Sequence, residues 1–320
     1  MRNPWIKNCL VNLRAFFTTN LRQRDNESLQ RIAKLEAGDL CLRRMSYYNL
    51  MTYFAAHPEE AGAYRQELDN LRQHGHWETF PYPHPDVPRA ETVHVGHHNG
   101  MSFVLHDGKR LFFPHGTPID TLRQQYHGYL HEECLLGRND TEGRPHQYQS
   151  PCVQVEPGDV LFDIGAAEGI FALDNIETAG RVVLVESDPC WYEPLQATFA
   201  PWADKVTLVR KNIGTVDNDT TVTLATLLAT YGETSSFVKM DIEGAEMEVM
   251  DAFLRPNDLT TPVKFSLATY HRQDDHRRLE EALAKAGFRT EASTGYMLFC
   301  EYDIPLPPFF RKGILRAFSK

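Results

Sequence analysis

The run Val160-Leu161-Phe162-Asp163-Ile164-Gly165-Ala166-Ala167-Glu168-Gly169 constrains this chain more than any other stretch. An apolar segment ends in an acid, glycines stand at two places in the turn that follows, and a helical pattern continues from Ile170 to Thr178. A second apolar segment, Arg181 to Val185, ends in Glu186. Strand, tight turn, helix, and a second strand with an acid at its tip make the first half of an α/β unit that holds a nucleotide-like ligand.

The turn chemistry narrows the ligand. A dinucleotide site needs G-x-G-x-x-G, so that backbone amides can approach a pyrophosphate at a helix N-terminus. Here Ala167 takes the middle position, and Asp163 and Glu168 place carboxylates around the turn, where they repel a pyrophosphate. S-adenosylmethionine carries a sulfonium, an ammonium and no phosphate, so the same acids suit it. Glu186, an acceptor only when ionised, can take hydrogen bonds from both ribose hydroxyls. A plain βαβ crossover with a tightened turn would leave both strand-end acids unexplained.

Strand patterns are expected at 159–163, 181–186, 206–210, 235–240 and 263–269, separated by helical patterns near 169–178, 191–199, 222–230 and 244–254. A helix over 274–286 leads to last strands at 288–293 and 296–302, joined tightly through Ser293-Thr294-Gly295 and therefore antiparallel. This order predicts an α/β fold with the mostly parallel, Rossmann-like sheet of a class I methyltransferase, closed by an antiparallel hairpin.

A second constellation is Ser235-Ser236-Phe237-Val238-Lys239-Met240-Asp241-Ile242-Glu243-Gly244-Ala245-Glu246. Asp241 falls at the carboxyl end of the fourth strand, the edge where open α/β sheets bind ligands. Glu243 and Glu246 follow it; acids there also suit the next helix N-terminus, as caps and as partners of its dipole. His271 ends the fifth strand, and an imidazole at that tip suits a general base. Asp241, Glu243 and His271 would also form an oxygen-rich site for a divalent metal, although no spacing demands one.

These elements resemble the FkbM family of S-adenosylmethionine-dependent methyltransferases: Asp163-Ile164-Gly165-Ala166, the Glu186-Ser187-Asp188-Pro189 turn, Lys239 to Glu246, and the strand-end His271. The likeness spans about 150–300. It implies O-methylation of a hydroxyl on a sugar, glycan or related metabolite. N-methylation of a small molecule, or a non-catalytic cofactor-binding module, are the other readings. By this resemblance Asp163, Gly165 and Glu186 would hold the cofactor, with Asp241 beside its methionine end. Ala166, Gly169 and Ser187 belong to the same expected contact set. His271 and Asp241 are the expected catalytic pair, with Tyr148, Glu243 and Glu246 toward substrate. Ala167 stands where the family often has Asn, which removes one polar contact.

Four regions follow: 1–80, helical; 81–150, a β-hairpin and helix that cap the substrate side; 151–304, the methyltransferase domain; and 305–320, a basic amphipathic tail. In the cap, Asp107-Gly108 between apolar runs signals a hairpin, and a helix is expected from about Ile119 to Leu136. Eleven of the 14 histidines lie between His74 and His146; His127 and His131 have a zinc-compatible spacing but no evident third and fourth ligands. The loop Pro145-His146-Gln147-Tyr148 could close over cofactor or substrate.

The net charge of -10 gives no global basic field for nucleic acid. Six scattered cysteines without C-x-x-C spacing read as free thiols in a reducing, cytoplasmic setting. No run of about 18 apolar residues predicts a membrane span. Residues 1–24 carry five basic residues and no acid, and 305–320 carry Arg311, Lys312, Arg316 and Lys320 among aromatic residues. Such ends suit either contact with an anionic membrane surface or packing against the body or a second copy of the chain.

Overall fold

The computed structural model describes residues 43–82, 87–132, 144–232, 235–255, 261–299 and 306–319. Of the region expected to be helical, residues 1–42, with the whole basic segment 1–24, lie outside them.

Helix α1 (43–56) buries Leu50 and Phe54, four apart on one face. A helical turn at Pro58–Ala61 leads into α2 (Arg65–His74), which buries Leu68 and Leu71 and stops at Gly75 in the left-handed region. Strands β1 (Val95–His98), β2 (Met101–His106) and β3 (Lys109–Phe112) then form a small antiparallel sheet. The hairpin falls where expected: Asp107 (φ 50°) and Gly108 (φ 80°) both take positive φ, as a two-residue type I′ turn requires. Helix α3 (Ile119–Glu132) follows; the remainder of its expected span lies beyond the described residues.

Strand and helix then alternate. In chain order they are β4 (Val160–Ile164), α4 (Ile170–Asp174), β5 (Arg181–Val185), α5 (Tyr192–Phe199) and β6 (Val206–Val209). A short parallel pair, β7 (Asn212–Gly214) and β8 (Thr221–Thr223), precedes α6 (Leu224–Tyr231). Next come β9 (Ser236–Met240), α7 (Glu246–Leu254), β10 (Val263–Ala268), α8 (Asp275–Lys285), β11 (Arg289–Ala292) and β12 (Ile314–Phe318).

Seven strands form the central sheet in the order β11-β12-β10-β9-β4-β5-β6. β12 runs antiparallel to both of its neighbours, while β10, β9, β4, β5 and β6 pair in parallel. Both faces are buried, as parallel sheets require. Leu161, Val182, Leu184 and Phe237 enter one core with α4, α5 and the cap residues Val104, Leu111, Phe113 and Leu122. Phe162, Val183, Val238 and Met240 enter the other, with α6, α7 and α8. The cap therefore shares a core with the sheet. His106 bonds Asp174 at 2.7 Å, and the amide of Phe112 donates to Thr198 Oγ1, fastening the hairpin to α4 and α5.

The end of the chain departs from expectation. Of the last strand expected at 296–302, residues 300–302 lie outside the described residues; within 296–299, Met297 makes an isolated bridge to Arg311, and Leu298 N donates to Thr79 O, drawing these residues toward the α1–α2 core. Among the described residues the last strand is β12, inside the region expected to be a basic tail. Arg311 and Arg316 are buried, because their donors satisfy carbonyls: Arg311 Nη1 reaches Tyr270 O and His271 O, and Arg316 Nη1 reaches Gln147 O. Phe309 and Phe310 join the core of α1 and α2. These side chains face inward and offer nothing to a membrane. Among the described residues, no helix is long and apolar enough to cross one.

Candidate active site

The carboxyl ends of β4 and β9, neighbours on either side of the chain reversal, form the crevice where open α/β sheets bind ligands. Gly165 lets the two tips close. It has φ 73°, and a Cβ there would lie 2.0 Å from Asp241 O. Gly169 (φ 80°) opens α4 against Leu195 and Phe199, where a Cβ would again clash. Ala167 holds φ 46° without being glycine, a conformation that costs about 1 kcal/mol or more.

Glu186 explains how the turn is held. Its carboxylate accepts from Ala167 N at 2.8 Å and Asp188 N at 2.6 Å. The turn amide that a dinucleotide phosphate would seek is already capped by an anion. Gly165 N and Ala166 N donate to Val185 O, binding the turn to β5. Ser187 is exposed at the same edge.

Asp163 is not on the rim. In the parallel register it sits opposite Lys239, and both side chains point into the core shared with the cap. Lys239 Nζ lies 3.0 Å from Asp163 Oδ1 and donates to Gly165 O at 2.8 Å. Ala172 N donates to Asp163 Oδ2. Asp163, expected among the cofactor contacts, is thus placed as a buried internal brace of the turn. Glu168 is buried beside this pair, and desolvation pushes its carboxyl up to about 7 against the pull of its own amide and of Lys239.

Asp241 is the centre of the site. Its Oδ2 accepts from Tyr148 Oη at 2.7 Å and Tyr270 Oη at 2.9 Å, and lies 3.5 Å from His146 Nε2; its Oδ1 is 3.4 Å from His271 Nε2. Burial opposes its ionisation, but the His146 hydrogen bond and the charges of His271 and Lys239 outweigh burial and hold the carboxyl well below the usual range. Burial and Asp241 push the Tyr270 phenol well above 10.

His271 comes together with Asp241, Glu243 and Glu246 as expected, but in a different state. Its Nδ1 is 3.2 Å from Glu246 Oε1, and its Nε2 is 3.7 Å from Glu243 Oε2. Burial alone would lower its pKa; the Glu246 hydrogen bond and the charges of Asp241, Glu246 and Glu243 instead raise it to about 9. A pKa raised in this way means that the ring holds its proton more tightly than a free imidazole, so less of it carries a free lone pair at neutral pH. Glu246 also accepts from Ile242 N at 2.8 Å, so it braces the loop after β9, whose Glu243 stands at φ 63°. The expected metal trio changes too: the ligand atoms that converge belong to Asp241, Glu246 and His271, all within 4.8 Å, with Glu246 in place of Glu243.

His146 emerges from the structure as a functional candidate. It is 4% exposed, and its ring meets those of Tyr148, Tyr270 and Phe80 at centroid distances of 5.0, 5.1 and 6.0 Å. Its Nε2 faces Asp241 and Tyr148 Oη (3.3 Å), whereas its buried Nδ1 makes no hydrogen bond and faces Glu132 at 3.9 Å. Phe80 and Glu132 line a cavity of about 720 Å³ walled by α1, α3 and residues 74–80. The sequence signal was present in Pro145-His146-Gln147-Tyr148, but the pairing with Asp241 bridges distant parts of the chain.

The strand order, with β12 antiparallel between β11 and β10, is that of the class I methyltransferase fold. Residues 195–290 match the family model described as the methyltransferase FkbM domain, a span that includes the Lys239–Glu246 element and His271. No curated protein matches the chain. Among solved structures, a precorrin-6y C5,15-methyltransferase from Geobacter metallireducens aligns at 17% identity over 52% of this chain and 82% of its own, with a TM-score of 0.35. A ribosomal protein L11 methylase from Lactobacillus delbrueckii subsp. bulgaricus aligns at 16% identity over 52% and 72%, with a TM-score of 0.32. Likeness at this level says nothing of the methyl acceptor.

Proposed function

We propose that this chain is an S-adenosylmethionine-dependent O-methyltransferase, acting on a hydroxyl of a sugar, glycan or related metabolite that enters the cavity beside His146. The observation that carries the reading is the Glu186 carboxylate on the Ala167 amide. It supports a cationic, phosphate-free methyl donor, because a pyrophosphate would find its amide taken and a negative charge in its place. S-adenosylmethionine supplies an electrophilic methyl group on a sulfonium.

The chain's own residues then have two tasks. The first is alignment, which brings acceptor oxygen and methyl carbon into line and supplies much of the rate. The second is proton removal. A free hydroxyl resembles water, with a pKa of roughly 15.7. No side chain forms the alkoxide in advance, so the proton leaves as the new C–O bond forms. His146 Nδ1 takes it. Asp241 and Tyr148 hold Nε2–H, which fixes the tautomer and leaves the Nδ1 lone pair toward Glu132, a residue of the cavity wall. Asp241 acts through His146 as a positioning residue, and His271 sets the charge around Asp241.

Calorimetry with S-adenosylmethionine and with NAD, followed by mass spectrometry of glycan and metabolite extracts incubated with enzyme and donor, tests this reading. The expected result is binding of the first ligand alone and a gain of one methyl group on acceptor oxygen. Binding of NAD in preference, or methyl gain only on nitrogen, would overturn it.

A further inference from the structure

A second cluster of ligating side chains lies in the cavity wall. His74 ends α2, and His76 and Glu78 follow it in the loop toward the active site. One nitrogen from each histidine and one oxygen of Glu78 lie within 4.8 Å of one another. His74 Nδ1 is 2.6 Å, and His76 Nε2 3.6 Å, from the same oxygen, Glu78 Oε1.

The His76 tautomer is informative. Its Nδ1 is 3.2 Å from Trp77 O, a carbonyl, so Nδ1 carries the proton there. With Nδ1 turned to that carbonyl, Nε2 is the nitrogen that faces Glu78 Oε1, where the two could ligate one cation. A histidine that donates one ring N–H to a carbonyl and presents the other nitrogen is the usual arrangement of a metal-bound imidazole. Two imidazoles and one carboxylate form a borderline-soft donor set that suits Zn²⁺ or Co²⁺ and leaves a coordination position open. Arg43 and Arg44 also line this cavity, but both are exposed, so solvent and salt screen their charge.

We propose that His74, His76 and Glu78 bind a divalent transition-metal ion in the wall of the cavity, with a coordination position facing it. The ion would replace the proton that now bridges His74 and Glu78. The methyl-transfer reading is not needed for this site, because it shares no ligand with the cluster of Asp241, Glu246 and His271.

Titration of the full chain with Co²⁺, followed by visible absorption and calorimetry, tests the proposal. One equivalent is expected at this cluster. His76→Ala, at an exposed position, should weaken it about tenfold or more while the metal-free melting temperature stays unchanged. Asp241→Asn should leave that equivalent in place. Failure of Co²⁺ to bind, undiminished binding by His76→Ala, or loss of the equivalent in Asp241→Asn would each overturn the proposal.

Discussion

Two aspartates lie at the ends of adjacent parallel strands, and in sequence they look alike. Asp163 is the penultimate residue of β4 and Asp241 follows the last residue of β9, each before a glycine-bearing turn. In the fold, Asp163 points into a core and meets Lys239, while Asp241 gathers two tyrosines and two histidines at the rim. A strand tip brings an acid to the crevice edge; strand register and the neighbouring side chain decide whether it serves the scaffold or the chemistry.

Substitutions can break this contrast. The largest stability change is expected at the scaffold tip. Asp163→Asn leaves Lys239 as a buried charge without its partner and should cost about 3–5 kcal/mol in urea unfolding. A loss below about 1 kcal/mol would mean that Asp163 faces solvent or ligand after all. At the chemical tip, His146→Ala should lower turnover by about 10²–10⁴-fold with cofactor affinity retained. Normal turnover in that variant would return the proton to another group.

His271 sharpens the contrast through pH. Its folded-state pKa of about 9 lies above the ordinary 6.5, so its stabilising effect is complete below about 6.5 and is lost as pH rises through about 9. The span corresponds to roughly 3 kcal/mol. Unfolding free energy should decline over that window in the parent chain, and His271→Gln should flatten the decline; an unchanged slope in the variant would dismiss the imidazolium. The smallest effect is expected for Tyr270→Phe, which removes one hydrogen bond to a charged acceptor and should cost about 1.5–3 kcal/mol or less. A cost comparable to that of Asp163→Asn would erase the distinction between brace and rim.

Much of the fold was legible in the sequence, because strand, turn and helix announce themselves over a few residues. Gly165 and Glu186 could be chosen from local spacing alone. The roles of the charged groups could not. Lys239 neutralises Asp163 only through the β4–β9 register, and His271 is charged only because Glu246, Glu243 and Asp241 surround it. His146 sat in a loop noted for closing over the site, yet its orientation depends on a carboxylate contributed by another strand. For the C-terminal basic residues the sequence left membrane contact and packing against the body both open. Arginines alternating with apolar residues fit a surface helix as well as a buried strand whose guanidiniums find carbonyls, and the second solution is the one adopted.

The placement of β12 bears on how the enzyme is made. Ribosomal synthesis delivers β10 and β11 first, and the slot between them stays empty until Ile314–Phe318 emerge. The buried arginines that hold Gln147, Tyr270 and His271 arrive with that late segment. A nascent chain could therefore complete the Glu186 turn early and still lack the carbonyl anchors around Tyr270 and His271 until β12 had threaded into the sheet.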